Sequence, residues 1–276
     1  MTTTIDTTTT LATPPAYRAA GFRDVLRSEW TKARTVPSTI WTLVATAILG
    51  IGLGALIAAI AAHHYATMSA TNKALWDPTS ISDTGFTLAQ LAIGVLGVLL
   101  ITSEYSTRGI GTSLAAVPRR SRFLAAKAIV VATMVLIAGE VMAFAAFFVG
   151  QVLISGHAPT ASLGDPNVLR AVIGGGLYLT LIGLLGLAVG AILRHAAGAI
   201  AVMVALLFVL PGVAAALPAS IEHTFQEYWP TQAGTQVATV VPTAHTLSAW
   251  AGLGEMCLFV AILLSAAFFV LNRRDA

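Results

Sequence analysis

Residues 168–193 read VLRAVIGGGLYLTLIGLLGLAVGAIL, with a single charge, Arg170, near the start. At ~1.5 Å of rise per residue this run makes a helix longer than the ~30 Å hydrocarbon layer of a bilayer. In that layer every backbone N–H and C=O must be satisfied within the protein, which points to a spanning helix. Five more apolar runs lie on either side, at residues 39–62, 88–102, 128–153, 196–217 and 249–271. The run at 88–102 is the shortest and falls below spanning length; it is extendable upstream to Phe86, through partly apolar sequence. The fold class read from these runs is all-α, a polytopic membrane protein with six transmembrane helices.

Composition agrees. Apolar residues make up 57% of the chain and charged residues 10%, whereas soluble domains carry about 25% charged residues. The mean hydropathy is +0.83. A sequence pI near 9.3 could point to nucleic acid, but threading the six runs through a membrane explains it without such a partner. Thirteen of the fifteen Lys and Arg residues then fall on one side. They are Arg18, Arg23, Arg27, Lys32 and Arg34 before the first run, Arg108, Arg119, Arg120, Arg122 and Lys127 between the second and third, Arg194 between the fourth and fifth, and Arg273 and Arg274 at the end. Only Lys73 and Arg170 lie opposite. Basic residues collect in cytoplasmic loops, so both termini are expected in the cytoplasm.

Residues 1–20 are Thr-rich, with neither a basic nor an apolar signal-peptide region, and are expected to be a disordered tail. Residues 21–276 then form one transmembrane domain. Within it, residues 21–36 have Phe22, Val25, Leu26, Trp30 and Ala33 at helical spacing, with Arg23, Arg27 and Arg34 on another side. This pattern predicts an N-terminal interfacial helix in the headgroup plane, with membrane lipid as its partner. Pro37 breaks it, and Ser38 is placed to cap the first span. On the far side, loops 63–85 and 154–167 are short. The loop at 218–248 carries Phe225, Tyr228 and Trp229 and an apolar stretch, 237–241, able to dip back into the membrane.

A P-loop needs a lysine directly after glycine, to reach the β/γ-phosphates. None of Lys32, Lys73 and Lys127 follows a glycine. The chain is therefore not expected to be an ATPase or another enzyme, and no catalytic residue is assigned. The lone Cys257 excludes an internal disulfide and any Cys-cluster metal site. His63 and His64 are adjacent rather than one helical turn apart, so no metal site is expected. Ser113, in a basic loop, is a poor intramembrane nucleophile.

Two acids, Glu140 and Glu255, fall inside apolar runs, where carboxylates are costly. One reading has them lining a substrate path that favours cationic ligands. The other is structural, with each bonded to a neighbouring helix or Glu255 paired with Arg170. Gly50, Gly52, Gly54, Gly186 and Gly190 mark close helix packing, and Pro211-Gly212 should kink the fifth span.

The richest loop is residues 104–123. Glu104 opens it, a semi-apolar helix-capable piece spans 110–117, Pro118 ends that piece, and Arg119, Arg120 and Arg122 follow. A plain turn would not need the apolar piece, which calls for cover by a protein partner, the favoured reading, or by the bilayer surface.

The residues Glu104-Tyr105-Ser106-Thr107, then 112–120 (TSLAAVPRR), then Ala125-Ala126-Lys127, together with Ser28-Glu29-Trp30-Thr31-Lys32, resemble the bacterial ABC-2 type permeases. Weaker echoes are Trp229-Pro230, Ala233-Gly234 and the basic ending. The resemblance implies a bacterial cytoplasmic-membrane exporter subunit for efflux of a small molecule, peptide or lipid, working as a dimer with a second copy or a paralogue. It implies two copies of a separate cytoplasmic ABC ATPase subunit, which would hold the ATP and Mg; this chain would bind no cofactor itself. It also implies a re-entrant piece before the sixth span. The coupling contacts to the ATPase would involve Glu104, Tyr105, Arg108, Leu114, Pro118, Arg119 and Arg120. The alternative is a proton-coupled secondary transporter using Glu140 and Glu255.

Overall fold

The computed structural model describes residues 21–106, 120–241 and 246–273, with the side chains of Ser106 and Arg120 left out. Arg108, Leu114, Pro118 and Arg119 thus lie outside the described residues. Among those described the fold is all helix. The order is α1 Phe22–Thr35, α2 Pro37–His64, α3 Ala70–Ala74, α4 Pro78–Ser82, α5 Phe86–Ser106, α6 Arg120–Ile154, α7 Val168–Leu193, α8 Ala196–Val204, α9 Leu210–Ala214, α10 Ala219–Tyr228, α11 Pro230–Thr235 and α12 Ala249–Arg273. Six segments are long and apolar enough to cross a membrane. The chain is a multi-pass membrane protein.

The fourth span, α7, is the most buried and occupies the centre. It crosses the second span, α5, where neither helix has a side chain in the way. A Cβ on Gly186 would overlap the Gly94 carbonyl, and one on Gly97 would overlap the Gly183 carbonyl. Gly190 sits against Val98 and Ile101. Small residues let two backbones approach this closely in a membrane. In the first span Gly50 and Gly54 pack on Phe86, Ala89 and the Ser82–Gly85 turn, whereas no described residue of the chain packs against Gly52.

Two sequence expectations change. Val36, not Ser38, is the N-cap of the first span; Pro37 takes the first helical position, where a missing N–H costs nothing. The second span also starts earlier than its apolar run, as α4, a 3-10 turn at Asp83–Gly85 and α5 form one segment, Pro78–Tyr105. Part of its buried polar start is satisfied by the turn itself and part by the third span, whereas Thr79 Oγ1 and both Asp83 oxygens have no hydrogen-bond partner. Asp77 caps α4 through the N–H groups of Thr79 (3.0 Å) and Ser80 (3.1 Å). From the third span, Gln151 Nε2 donates to the Pro78 carbonyl (3.1 Å) and Ser82 Oγ (3.3 Å), while its Oε1 accepts from Ala161 N–H (2.7 Å).

The helical register of the fifth span changes just before Pro211. A π-turn, Ala205–Val209, precedes α9. In π register the Leu206 carbonyl would look to the amide of residue 211, which proline lacks. The Trp229 indole N–H supplies the bond instead, at 3.1 Å. Trp229 is itself stacked on Phe225, with ring centroids 4.6 Å apart.

Beyond this, α11 and a 3-10 turn at Gln236–Ala238 sit between the fourth and sixth spans. Val237 is fully buried and lies against Gly174, while Ala233 lies against Gly252. Arg170 fastens the segment: Nη1 donates to the carbonyls of Val237 (2.9 Å) and Gln236 (3.4 Å), and Nη2 to that of Thr239 (2.9 Å).

Candidate functional site

Four charges converge where α1, the end of the second span and the start of the third span meet. Glu29 and Lys32 are one turn apart on α1, Glu104 ends the second span, and Lys127 lies near the start of the third. The amphipathic pattern puts Glu29 on the inward stripe of α1, between the buried Val25 and Ala33.

Lys127 is almost fully buried, and its three ammonium hydrogens have three partners. They are Glu29 Oε2 at 2.6 Å, Glu104 Oε1 at 2.8 Å and the Leu100 carbonyl at 3.0 Å. Lys32 reaches Glu29 Oε1 at 2.8 Å and Glu104 Oε1 at 3.4 Å. Burial alone would lower the Lys32 pKa, but the hydrogen bond and charge of Glu29, with the charge of Glu104, outweigh it and hold the ammonium above its ordinary value. Beneath the two lysines lies the buried ring of Phe123, 5.2 Å from Lys127 Nζ and 6.0 Å from Lys32 Nζ, within cation–π reach.

The cluster is neutral, two carboxylates against two ammoniums. Isolated, each buried ion would cost several kcal/mol; together they form an electrostatic joint between three elements. Glu104 keeps one oxygen, Oε2, buried and without a hydrogen bond. Next to the joint lies a cavity of about 360 Å³, walled by Leu96, Leu99, Leu100, Val130 and Val131. It leaves room for α1 to shift against the spans.

Residues 107–119 join the second span, which ends near Glu104, to the third, which begins seven residues before Lys127. The joint therefore ties both roots of that loop to α1. A second contact lies nearby, where the Arg194 guanidinium sits 5.4 Å over the Tyr105 ring. Arg194 has left-handed φ at the turn after the fourth span and donates to the Val270 carbonyl of the sixth at 3.4 Å.

The two intramembrane acids are not brought into any such network. Glu140 lies half-buried against Gly176 of the fourth span. Glu255 has a buried oxygen, Oε2, with no hydrogen-bond partner. The pairing of Glu255 with Arg170 does not form, because the guanidinium is committed to the three carbonyls described above. No group of three metal-ligating side chains occurs among the described residues.

Sequence reasoning singled out Glu104 but gave no role to Glu29, Lys32 or Lys127. A signal was present for Glu29, an acid on the apolar stripe of an amphipathic helix. Asp83 was also missed. It is buried at the opposite end of the second span, and neither of its carboxyl oxygens has a hydrogen-bond partner.

A family model described as ABC-2 family transporter protein matches residues 25–212. The match takes in all four members of the charged joint. No curated protein matches the chain.

Proposed function

The chain belongs to the ABC-2 family of transporter proteins, and from that premise we propose that it is the permease subunit of an ATP-driven exporter whose ATP is bound and hydrolysed on a separate subunit. Two ATPase copies, each with Mg-bound ATP, would serve a permease dimer in a bacterial cytoplasmic membrane. The basic side, with both termini, is the cytoplasmic one on this reading. The docking element is the loop of residues 104–123, and Tyr105, Arg108, Leu114, Pro118, Arg119 and Arg120 are its contact residues.

The observation that carries the proposal is the charged joint of Glu29, Lys32, Glu104 and Lys127. A loop that only reversed the chain would need no buried four-charge anchor at its roots. Displacement of the loop by the ATPase would pull on Glu104 and Lys127 together, and through Glu29 and Lys32 on α1. Since α1 runs into the first span with only Val36 between them, the pull would arrive at the membrane helices. ATP on one chain thereby biases a two-state element on another.

The test is Glu104→Ala in the permease co-expressed with its ATPase and reconstituted in vesicles. Transport-coupled stimulation of ATP hydrolysis should be lost while membrane insertion persists; unchanged stimulation would refute the coupling role. The proton-driven alternative, with Glu140 and Glu255 as relays, makes the opposite demand: transport in ATP-depleted vesicles under an imposed pH gradient.

A further inference from the structure

The interfacial helix α1 has three faces. Val25, Glu29 and Ala33 point inward, and Asp24, Ser28, Thr31 and Thr35 form a polar face lining a shallow surface hollow that Arg27 and Lys32 also border. The third face holds Arg23, Leu26, Arg27 and Trp30, at i, i+3, i+4 and i+7. The sequence pattern put the arginines and the apolar residues on different sides; in the structure these four share one side. Together with Ile129, Val130 and Thr133 of the third span they enclose a groove of about 410 Å³.

The groove is apolar along its floor and basic at its rim. Arg23 and Arg27 are exposed, and neither guanidinium has a hydrogen bond or ion pair with any described residue. They are one helical turn apart, so both can reach one ligand. Trp30, half-exposed beside them, is the residue type that settles at headgroup level. Ile129, exposed on the third span, lies nine residues past the start of α6 at Arg120, roughly 13 Å along the helix at 1.5 Å per residue. Ile129 also stands at the opening of the apolar run at 128–153, so the groove lies where the headgroup region meets the acyl chains.

We propose that this groove is a specific binding site for one anionic phospholipid of the leaflet on the basic side. Arg23 and Arg27 hold the phosphate through charge-assisted hydrogen bonds, and one acyl chain lies along Leu26, Ile129 and Val130. A diffuse attraction between basic residues and an acidic membrane needs neither a groove nor two arginines in register. Val130 lines both this groove and the cavity beside the charged joint, so an occupied groove braces α1 against the third span at the joint itself. The site does not depend on the ATPase reading, because the permease alone contains all of it.

Native mass spectrometry of the full-length permease tests it, with dioleoylphosphatidylglycerol and dioleoylphosphatidylcholine added at equal concentration. The wild type should retain one phosphatidylglycerol per chain with about a tenfold preference. The double variant R23Q/R27Q should lose the preference, while R34Q, altered at the far end of α1, should keep it. Thr133→Trp, which fills the groove and leaves the arginines in place, should also abolish retention, with helical content by circular dichroism unchanged. Equal retention of the two lipids by the wild type overturns the proposal, as does a loss in R34Q equal to that in R23Q/R27Q. It also fails if R23Q/R27Q keeps its lipid preference but no longer co-purifies with an ATPase subunit, since the arginines would then face protein.

Discussion

The two ends of this bundle are fastened by different chemistry. On the basic side, side chain meets side chain: Lys127 and Lys32 bridge Glu29 and Glu104, and each charge depends on charges from other elements. On the opposite side, side chain meets chiefly backbone, with only neutral hydroxyls besides: Arg170 takes three carbonyls, Gln151 a carbonyl, an amide and the Ser82 hydroxyl, and Asp77 the Ser80 hydroxyl, amides from α4 and, at 3.3 Å, the amide of Val241. Charge pairs have discrete alternatives and can exchange partners when an element shifts. A guanidinium clamped on three carbonyls holds a loop in one place. The difference fits a molecule that receives a signal at one end and keeps a fixed wall at the other.

The comparison is most exposed to failure at Lys127. Replacement by Met leaves Glu29 and Glu104 with only the half-exposed Lys32 between them, and removing one partner of a buried pair costs ~3–5 kcal/mol. Thermal unfolding of the purified protein should show this as the largest loss of the set. Adding E29L and E104L should restore much of the stability, since an apolar replacement of the whole set is often neutral, yet coupling to the ATPase should stay lost. Arg170→Ala comes next. It deprives three carbonyls of their donor, with an effect of roughly 1.5–3 kcal/mol for bonds to a charged group. Its signature should be local, with residues 236–241 exchanging amide hydrogens faster and the basic side unaffected.

A smaller effect belongs to Lys32. Its folded-state pKa is held above the unfolded value, so its stabilising contribution is complete below the ordinary lysine pKa and fades as pH rises through the higher folded value. Lys32→Met should flatten that alkaline decline in an unfolding-versus-pH series. The smallest change is expected at Asp83. Its carboxyl oxygens have no hydrogen-bond partner, so Asp83→Asn breaks no bond and should shift stability by less than about 1 kcal/mol. A loss as large as that of Lys127→Met would mean the opposite side also depends on paired charge, and the contrast would collapse.

The spans were legible because lipid imposes length and apolarity on each helix separately. The fourth span coincides with its apolar run at 168–193. The second was short by its whole polar beginning, because residues 77–85 are rendered internal by partners far along the chain, above all Gln151. The site divides in the same way. Glu104 stood out as an acid at a span end, but its pairing with Lys32, 72 positions away, is a tertiary fact with no local mark. Arg170 and Glu255 looked like natural partners by charge; backbone carbonyls of an intervening loop won, since an arginine fork satisfies several at once.

The glycine crossing of the second and fourth spans has one more consequence. With no side chains interposed, those two helices have no rotamers to rearrange and no gap to close, so they must travel as one beam. The third span flanks that beam and the loop segment from Pro230 to Ala238 is pinned beside it. The first, fifth and sixth spans are the least buried within the chain. Any cycle of opening and closing would then be a motion of these three around a stationary axle, and a small residue added at Gly97 or Gly186, where a Cβ would meet the backbone of the other helix, would unseat the axle rather than change its stroke.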